Sequence, residues 1–396
     1  MRSLRVWLVA ALLLLVFCRP GTSAAADEGG NKVEQVVSGA LAEFAIPGAA
    51  VAASGLDGSW VRTFGLADVA ANRPVRPNDY FAIRSITKSF VVTAVLQLVA
   101  NSDGAVRIDD PIGKFLQDVP NGDVVTIRQL GNMTSGLFNY TSDEDLKAAF
   151  GADPTRAWTA DELLAFAFNS ASHGPIVFPA GTRYQYSNTN TLLLGKLVET
   201  LTGQPFADVL QAEILAPSGL RSTRYLSGVR LPRPSVKGYQ GTDDDGAPDA
   251  VAINATSLNF AGAMAATVSD LARWGTVLAT GTLLPAELQK QRFRARSAAT
   301  DPNSPLYDRY GLGMGEVAGW WGHTGEGVGF EAAVFHQIEQ NRTFAIVLNA
   351  SNVSDVPVVI FCRVLRALGQ LPASARESRP SICATDPASR SGAGLE

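Results

Sequence analysis

Residues 81–99 constrain this chain most. From residue 89 to residue 99 nearly every position is apolar or small, over a length that suits a helix. A helix with no polar face must be buried on all sides, so a core has to be built around it. Charged residues make up 18% of the chain and hydrophobic residues 46%, which is enough for a sizeable core. The helix is entered through Phe81-Ala82-Ile83-Arg84-Ser85-Ile86-Thr87-Lys88, an extended apolar approach that sets Ser85 at the start of the buried helix. Lys88 follows one turn later, and residues three apart share a helix face. A serine needs a neighbouring base to become a nucleophile, and a lysine shielded from water can be that base. Lys88 alone among the lysines has a serine three positions earlier. Taken by itself, the same spacing also describes an N-cap serine followed by a solvated lysine.

The first 26 residues read as a targeting segment. Arg2 and Arg5 supply a positive start, residues 6–17 an apolar stretch too short for a comfortable membrane span, and Ala24-Ala25-Ala26 a small-residue end. Cleavage after Ala26 and export to the cell envelope or the medium are expected, with an uncleaved anchor as the alternative. Cys18 follows Phe17 rather than a small residue, which argues against lipid attachment. Cleavage would leave Cys362 and Cys383, an even pair expected to be bridged in an oxidising compartment. Neither has a second Cys or a His at zinc-like spacing, and no metal or cofactor is expected. The net charge of −4 and the absence of a basic run argue against nucleic acid or an anionic membrane as partner.

Along the chain, residues 31–44 carry a helical apolar face. Residues 49–54 and 60–66 flank Asp57-Gly58 as a hairpin. A helical, loop-rich middle follows, with short helices near residue 110 and after Thr126, longer ones at 161–168, 191–202 and 206–214, and a surface loop over 227–250. A capped helix begins at Ser269. Strands are expected at 310–314, 329–336 and 343–348, and a last helix at 356–368. The layout predicts one antiparallel sheet built from both chain ends and flanked by helices. The expected domain spans residues 27–370, with an α/β lobe (about 31–84 and 261–370), an inserted helical lobe (about 85–260) and a loosely held tail at 371–396.

Two further stretches stand out. In Tyr184-Gln185-Tyr186-Ser187-Asn188, the Tyr186 and Asn188 side chains can project from one side of an extended loop. A phenol near cations can relay a proton, and an amide can position a lysine amine and a substrate carbonyl. Trp321-Gly322-His323-Thr324-Gly325-Glu326 carries one of only three histidines, flanked by glycines that let backbone approach a ligand. Either stretch alone also reads as ordinary packing, a core tyrosine in one case and a glycine-rich hairpin in the other. The loop around Ser135-Gly136-Leu137 is read as structural. No G-x-S-x-G, H-E-x-x-H, Walker A or G-x-G-x-x-G motif is present.

Together, Ser85-x-x-Lys88, Tyr186-x-Asn188 and His323-Thr324-Gly325 resemble the active-site set of the penicillin-recognising serine hydrolases. The order and spacing look most like class C β-lactamases and the Streptomyces-type D-alanyl-D-alanine carboxypeptidases, a pattern that many esterases share. The likeness runs from about residue 33 to about 368. It implies a β-lactamase/DD-peptidase-like α/β fold of the α+β type. It also implies roles: Ser85 as acylated nucleophile, Lys88 as its base, Tyr186 as proton relay, and Asn188 as holder of Lys88 and the substrate amide. His323 would replace the usual lysine of that family, with Thr324 and Gly325 completing the wall and the N–H groups of Ser85 and Glu326 forming the oxyanion hole. The substrate would be a β-lactam, a D-amino-acid peptide, a peptidoglycan-like molecule, or a related amide or ester. In the carboxypeptidases an arginine and a hydroxyl residue are expected to hold the terminal carboxylate of the substrate. By spacing those positions are Gly315 and Glu326, which tells against carboxypeptidase activity. The rival from another class is a catalytically silent binding protein.

Overall fold

A computed structural model describes residues 24–56, 58–242, 248–294, 297–298, 305–371 and 381–387. Asp57, and residues 1–23 of the expected targeting segment, lie outside them.

Nine strands form the main sheet in the order Arg73–Pro74, Ser59–Asp68, Gly48–Ser54, Arg342–Leu348, Phe330–Gln337, Trp320–Gly327, Gly315–Val317, Arg309–Tyr310 and Ser297–Ala298. Every pairing in it is antiparallel. The fold is therefore the α/β arrangement expected, with the first hairpin joined to the last strand in the register Ala49 opposite Leu348. Side chains alternate across the strands. Ala49, Val51, Phe335, Phe344 and Ile346 bury one face under the helices Ala24–Glu43 and Val356–Ala367. Ala50, Ala52, Val334, Ala345 and Val347 bury the other against Trp274 and Leu278 of the helix Val268–Thr280.

The same second core extends into a helical region. The helix Thr87–Asn101 runs through it, with Phe90, Val91, Val95 and Leu96 all buried. Leu192, Leu193, Leu194, Leu197 and Val198 of the helix Asn188–Thr202 join this core. Thr126 caps a short helix through a capping box with Gln129, as its sequence position suggests. Among the described residues no helix is long and apolar enough to cross a membrane.

Four local expectations are corrected. The stretch 227–250 holds a strand pair, Gly238–Thr242 with Pro248–Val251, where its turn residues had suggested only a loop. The helix expected from Ser269 starts at Val268 and is capped by Thr267, whose side chain accepts from the Asp270 N–H. The stretch 310–314 is a strand only at Arg309–Tyr310, because Gly313, at φ +65°, turns the chain back and the Gly311 N–H closes onto the Met314 carbonyl. Part of the tail is anchored. Cys383 is bridged to Cys362, Arg363 pairs with Asp386, and Asp308 takes hydrogen bonds from Ser381 and the Ile382 N–H.

Candidate active site

Ser85 lies in a single 3-10 turn, Arg84–Ile86, immediately before the helix Thr87–Asn101. Arg84 enters it in the left-handed region at φ +48°, a conformation that a side chain adopts only when its surroundings enforce it. The enforcement is visible on both sides. The Ile83 N–H is held by the Met264 carbonyl, and the Thr87 hydroxyl returns to the Arg84 carbonyl at 2.7 Å. One turn on, the Ser89 hydroxyl donates to the Ile86 carbonyl and accepts from the Trp274 indole N–H, and Trp274 stacks on Phe90 at 3.8 Å.

Lys88 is fully buried. Its Nζ lies 2.7 Å from Ser85 Oγ and 2.8 Å from the Ala261 carbonyl. Burial pushes its pKa well below the usual lysine range, because water is not there to solvate the ammonium. As a neutral amine it can accept the Ser85 proton across that 2.7 Å contact. The Tyr186 ring centre lies 4.8 Å from Lys88 Nζ, which sets the phenol beside the Ser85–Lys88 pair. Burial, and next the neighbouring Tyr307, hold that phenol far above its usual pKa, so it stays protonated.

Asn188 stands at the first position of the helix Asn188–Thr202 instead of on an extended loop. Its amide donates to Thr141 Oγ1 at 3.0 Å, and its N–H to Asn139 Oδ1 at 3.0 Å. The Lys88 amine thus meets the Ala261 carbonyl in the place where Asn188 was expected. Ser135 ties its loop to the same helix through Asn190.

The facing wall is the strand Trp320–Gly327, so His323-Thr324-Gly325 is itself strand and does not merely precede one. His323 is fully buried, with Tyr310 Oη 2.9 Å from Nε2, and with Tyr307 Oη 3.3 Å and the Thr324 carbonyl 2.5 Å from Nδ1. Burial, reinforced by the neighbouring Lys88, depresses its pKa to about 3, so the imidazole is neutral at physiological pH. Tyr307 also receives the Thr324 N–H at 2.8 Å and shares a 2.6 Å contact with the Thr324 hydroxyl. A Cβ at Gly325 would stand 2.0 Å from the Ile83 carbonyl oxygen, so the missing side chain is what lets this strand press against the Ser85 turn. A Cβ at Gly315 would meet the Tyr307 ring at 2.2 Å, so Tyr307 occupies the space an arginine would need there. Glu326 is exposed, and its carboxylate accepts from Ser354 at 2.7 Å. Its charge helps raise the buried acids behind it, Glu331 and Asp355, the latter to about 7, though burial contributes more.

The structure therefore gathers Ser85, Lys88, Tyr186, His323 and Thr324 around one point, and turns the Asn188 amide toward Thr141. Sequence reasoning missed Tyr307, Tyr310, Thr141 and the Ala261 carbonyl. All four lie within the span of the resemblance, but nothing local marked them. Among the described residues, no three or more His, Cys, Asp or Glu side chains stand together as metal ligands.

The chain is similar to known proteins in both sequence and fold. The sequence profile of the family described as Beta-lactamase matches residues 33–358. A D-aminopeptidase of Cereibacter sphaeroides is 29% identical over 294 residues, which is 73% of this chain and 54% of that protein. The chain thus spans about half the length of the curated D-aminopeptidases it matches. Esterase EstB of Burkholderia gladioli is 34% identical over 178 residues, 42% of this chain and 43% of that protein. Among solved structures, a D-stereospecific amidohydrolase from Streptomyces sp. superposes with a TM-score of 0.71 at 28% identity, covering 85% of this chain and 97% of that one. The D-amino acid amidase of Ochrobactrum anthropi SV3 shares the fold at a TM-score of 0.75 and 23% identity, covering 87% and 100%.

Proposed function

The chain belongs to the Beta-lactamase family of serine hydrolases, and from that premise we propose that it hydrolyses D-aminoacyl amides or esters through an acyl-enzyme on Ser85. The observation that carries the reading is the 2.7 Å contact between Ser85 Oγ and the buried Lys88 amine. In the proposed cycle Ser85 Oγ attacks the carbonyl carbon while its proton passes to Lys88. Tyr186, protonated and packed beside Lys88, delivers a proton to the departing amine or alcohol. Water then cleaves the serine ester by the reverse path. The N–H groups of Ser85 and Glu326 would hold the oxyanion at no reorganisation cost, a role for which the close approach at Gly325 is required. Thr324 and the neutral His323 complete the polar wall, and Asn188 orients the substrate amide.

The choice of substrate rests on Glu326, Gly315 and the relatives. A substrate carboxylate near Glu326 would be repelled by about 1 kcal/mol at 4 Å in water, and by about 4 kcal/mol at an effective dielectric of 20. A free amino group would be attracted there by the same amount. Gly315 offers no compensating cation. D-aminopeptidase and D-stereospecific amidohydrolase relatives point the same way. The test is kcat/KM for a D-aminoacyl amide, the matching ester and an acyl-D-Ala-D-Ala peptide, in the wild type and in Glu326→Thr. The reading expects the amide or ester to lead, and the peptide to gain from the substitution. A wild type that prefers the free carboxylate would overturn it. Export is part of the proposal, supported by the pattern of residues 1–26 and by the Cys362–Cys383 bridge. Mass spectrometry of protein from its host should find Asp27 as the first residue.

A further inference from the structure

A cavity of about 260 Å³ opens beside the Ser85 turn, and none of Ser85, Tyr186 or His323 lines it. Its walls are apolar, with Leu226, Leu231, Ile253 and Phe330 prominent. One strong charge breaks them. Arg84, the residue before Ser85, lines the cavity with a side chain that is only 4% exposed. Its guanidinium lies 5.2 Å from the centre of the Phe330 ring and donates from Nη2 to the Val328 carbonyl. Its Nε meets no partner among the described residues, and burial is what shifts its pKa, with no carboxylate offsetting it. A buried cation without a counter-ion is costly, and a planar guanidinium with free donors suits a carboxylate in two-point contact.

We propose that this cavity is a binding site for a small apolar monocarboxylate, the acid group meeting Arg84 and the hydrocarbon part lying among Leu226, Leu231, Ile253 and Phe330. The desolvated guanidinium, held at a pKa of about 10, is still charged at neutral pH. The volume falls just below the ~300 Å³ at which drug-sized pockets begin, so the occupant is small. The apolar walls favour a hydrocarbon acid over inorganic phosphate. Lys237 also lines the cavity, but its ammonium is half-exposed and already paired with Asp68, so it adds attraction at the mouth rather than a second buried contact.

Calorimetric titration of the full chain with hexanoate tests the proposal, with hexanamide and inorganic phosphate as controls. Hexanoate should bind saturably, and at least about tenfold more tightly than either control, the value of one charge-assisted contact. Arg84→Gln should weaken hexanoate by a similar factor. Because that change touches a buried residue next to Ser85, Ala252→Trp is the second arm. Ala252 is exposed and lines the cavity, so the indole should block hexanoate while leaving ester turnover intact. Equal binding of hexanamide or phosphate, or undiminished hexanoate binding in a folded Arg84→Gln or Ala252→Trp protein, would overturn the proposal.

Discussion

The two walls of the cleft bury one ionisable nitrogen each, yet they are assembled at different sequence distances and leave those nitrogens in different company. On the helix wall, Lys88 sits three residues from Ser85 and points its amine at the serine oxygen. On the strand wall, His323 is held by Tyr310 and Tyr307, from thirteen and sixteen residues away, and both of its ring nitrogens are already engaged. Burial favours the neutral form of both groups, in one case of an amine next to a nucleophile, in the other of an imidazole walled behind phenols. The difference teaches that the helix wall supplies the mobile proton, while the strand wall supplies shape and backbone donors.

That division is sharpest in activity. Ser85→Ala and Lys88→Ala should each lower kcat by about 10³-fold or more, the scale seen when a nucleophile or its base is removed. His323→Gln, which keeps a buried hydrogen-bonding side chain of similar reach, should cost far less, within about 10²-fold. Single-turnover ester hydrolysis by the three variants measures this, and an equal loss at His323 would erase the distinction.

Gly325→Ala tests the strand wall through its backbone. The new Cβ would stand 2.0 Å from the Ile83 carbonyl oxygen, a backbone atom that cannot swing aside. Strand and turn would have to separate, pulling the Glu326 N–H from the oxyanion position. The loss of one such donor costs about 10²–10³-fold in kcat. Unchanged kcat in a folded Gly325→Ala protein would show that the strand is not needed so close.

A pH profile separates the two nitrogens by their titration. The neutral Lys88 amine is the base, so kcat/KM should rise with pH as Lys88 loses its proton, with a midpoint well below 10.5. His323 has already lost its proton above about pH 3 and should add no limb between pH 4 and 8. The acid limb should therefore keep its position in His323→Gln, and a shifted or vanished limb would assign it to the imidazole instead.

How much of this was legible beforehand follows from range. Ser85 and Lys88 could be read because a helix turn brings residues three apart together, and the apolar run behind them announced the helix. The first hairpin and the last strands and helix were legible for the same local reason. Tyr307 and Tyr310 were not, since they meet the histidine only once the strands Arg309–Tyr310, Gly315–Val317 and Trp320–Gly327 have paired, and the small residues Gly315 and Gly322 facing each other across two strands carry no local sign of the space they leave. Asn188 was misread by its backbone. Ser187 in extended conformation ends the loop, the helix starts one residue later, and the amide is turned toward Thr141. The Gly- and Asp-rich stretch 227–250 looked like a loop because its strands are short and pair mainly with each other.

The smallest effect expected is that of Tyr310→Phe, which also probes the strand wall most finely. The phenol is buried, protonated and 2.9 Å from His323 Nε2. Removing its oxygen leaves that ring nitrogen buried without its partner, at a cost of about 1–3 kcal/mol in stability. The ring itself remains, and with it the edge contacts to Tyr186 and His323. Desolvation, the main cause of the low imidazole pKa, remains as well, so His323 should stay neutral through pH 5–8 when followed by NMR. If the imidazole served as a proton carrier through Tyr310, activity would collapse along with the hydrogen bond. As a wall element, it should lose less than about tenfold in kcat/KM while the denaturation midpoint falls. Equilibrium unfolding and ester turnover on the same preparation distinguish the two, and a large kinetic loss with unchanged stability would hand the strand wall a chemical part after all.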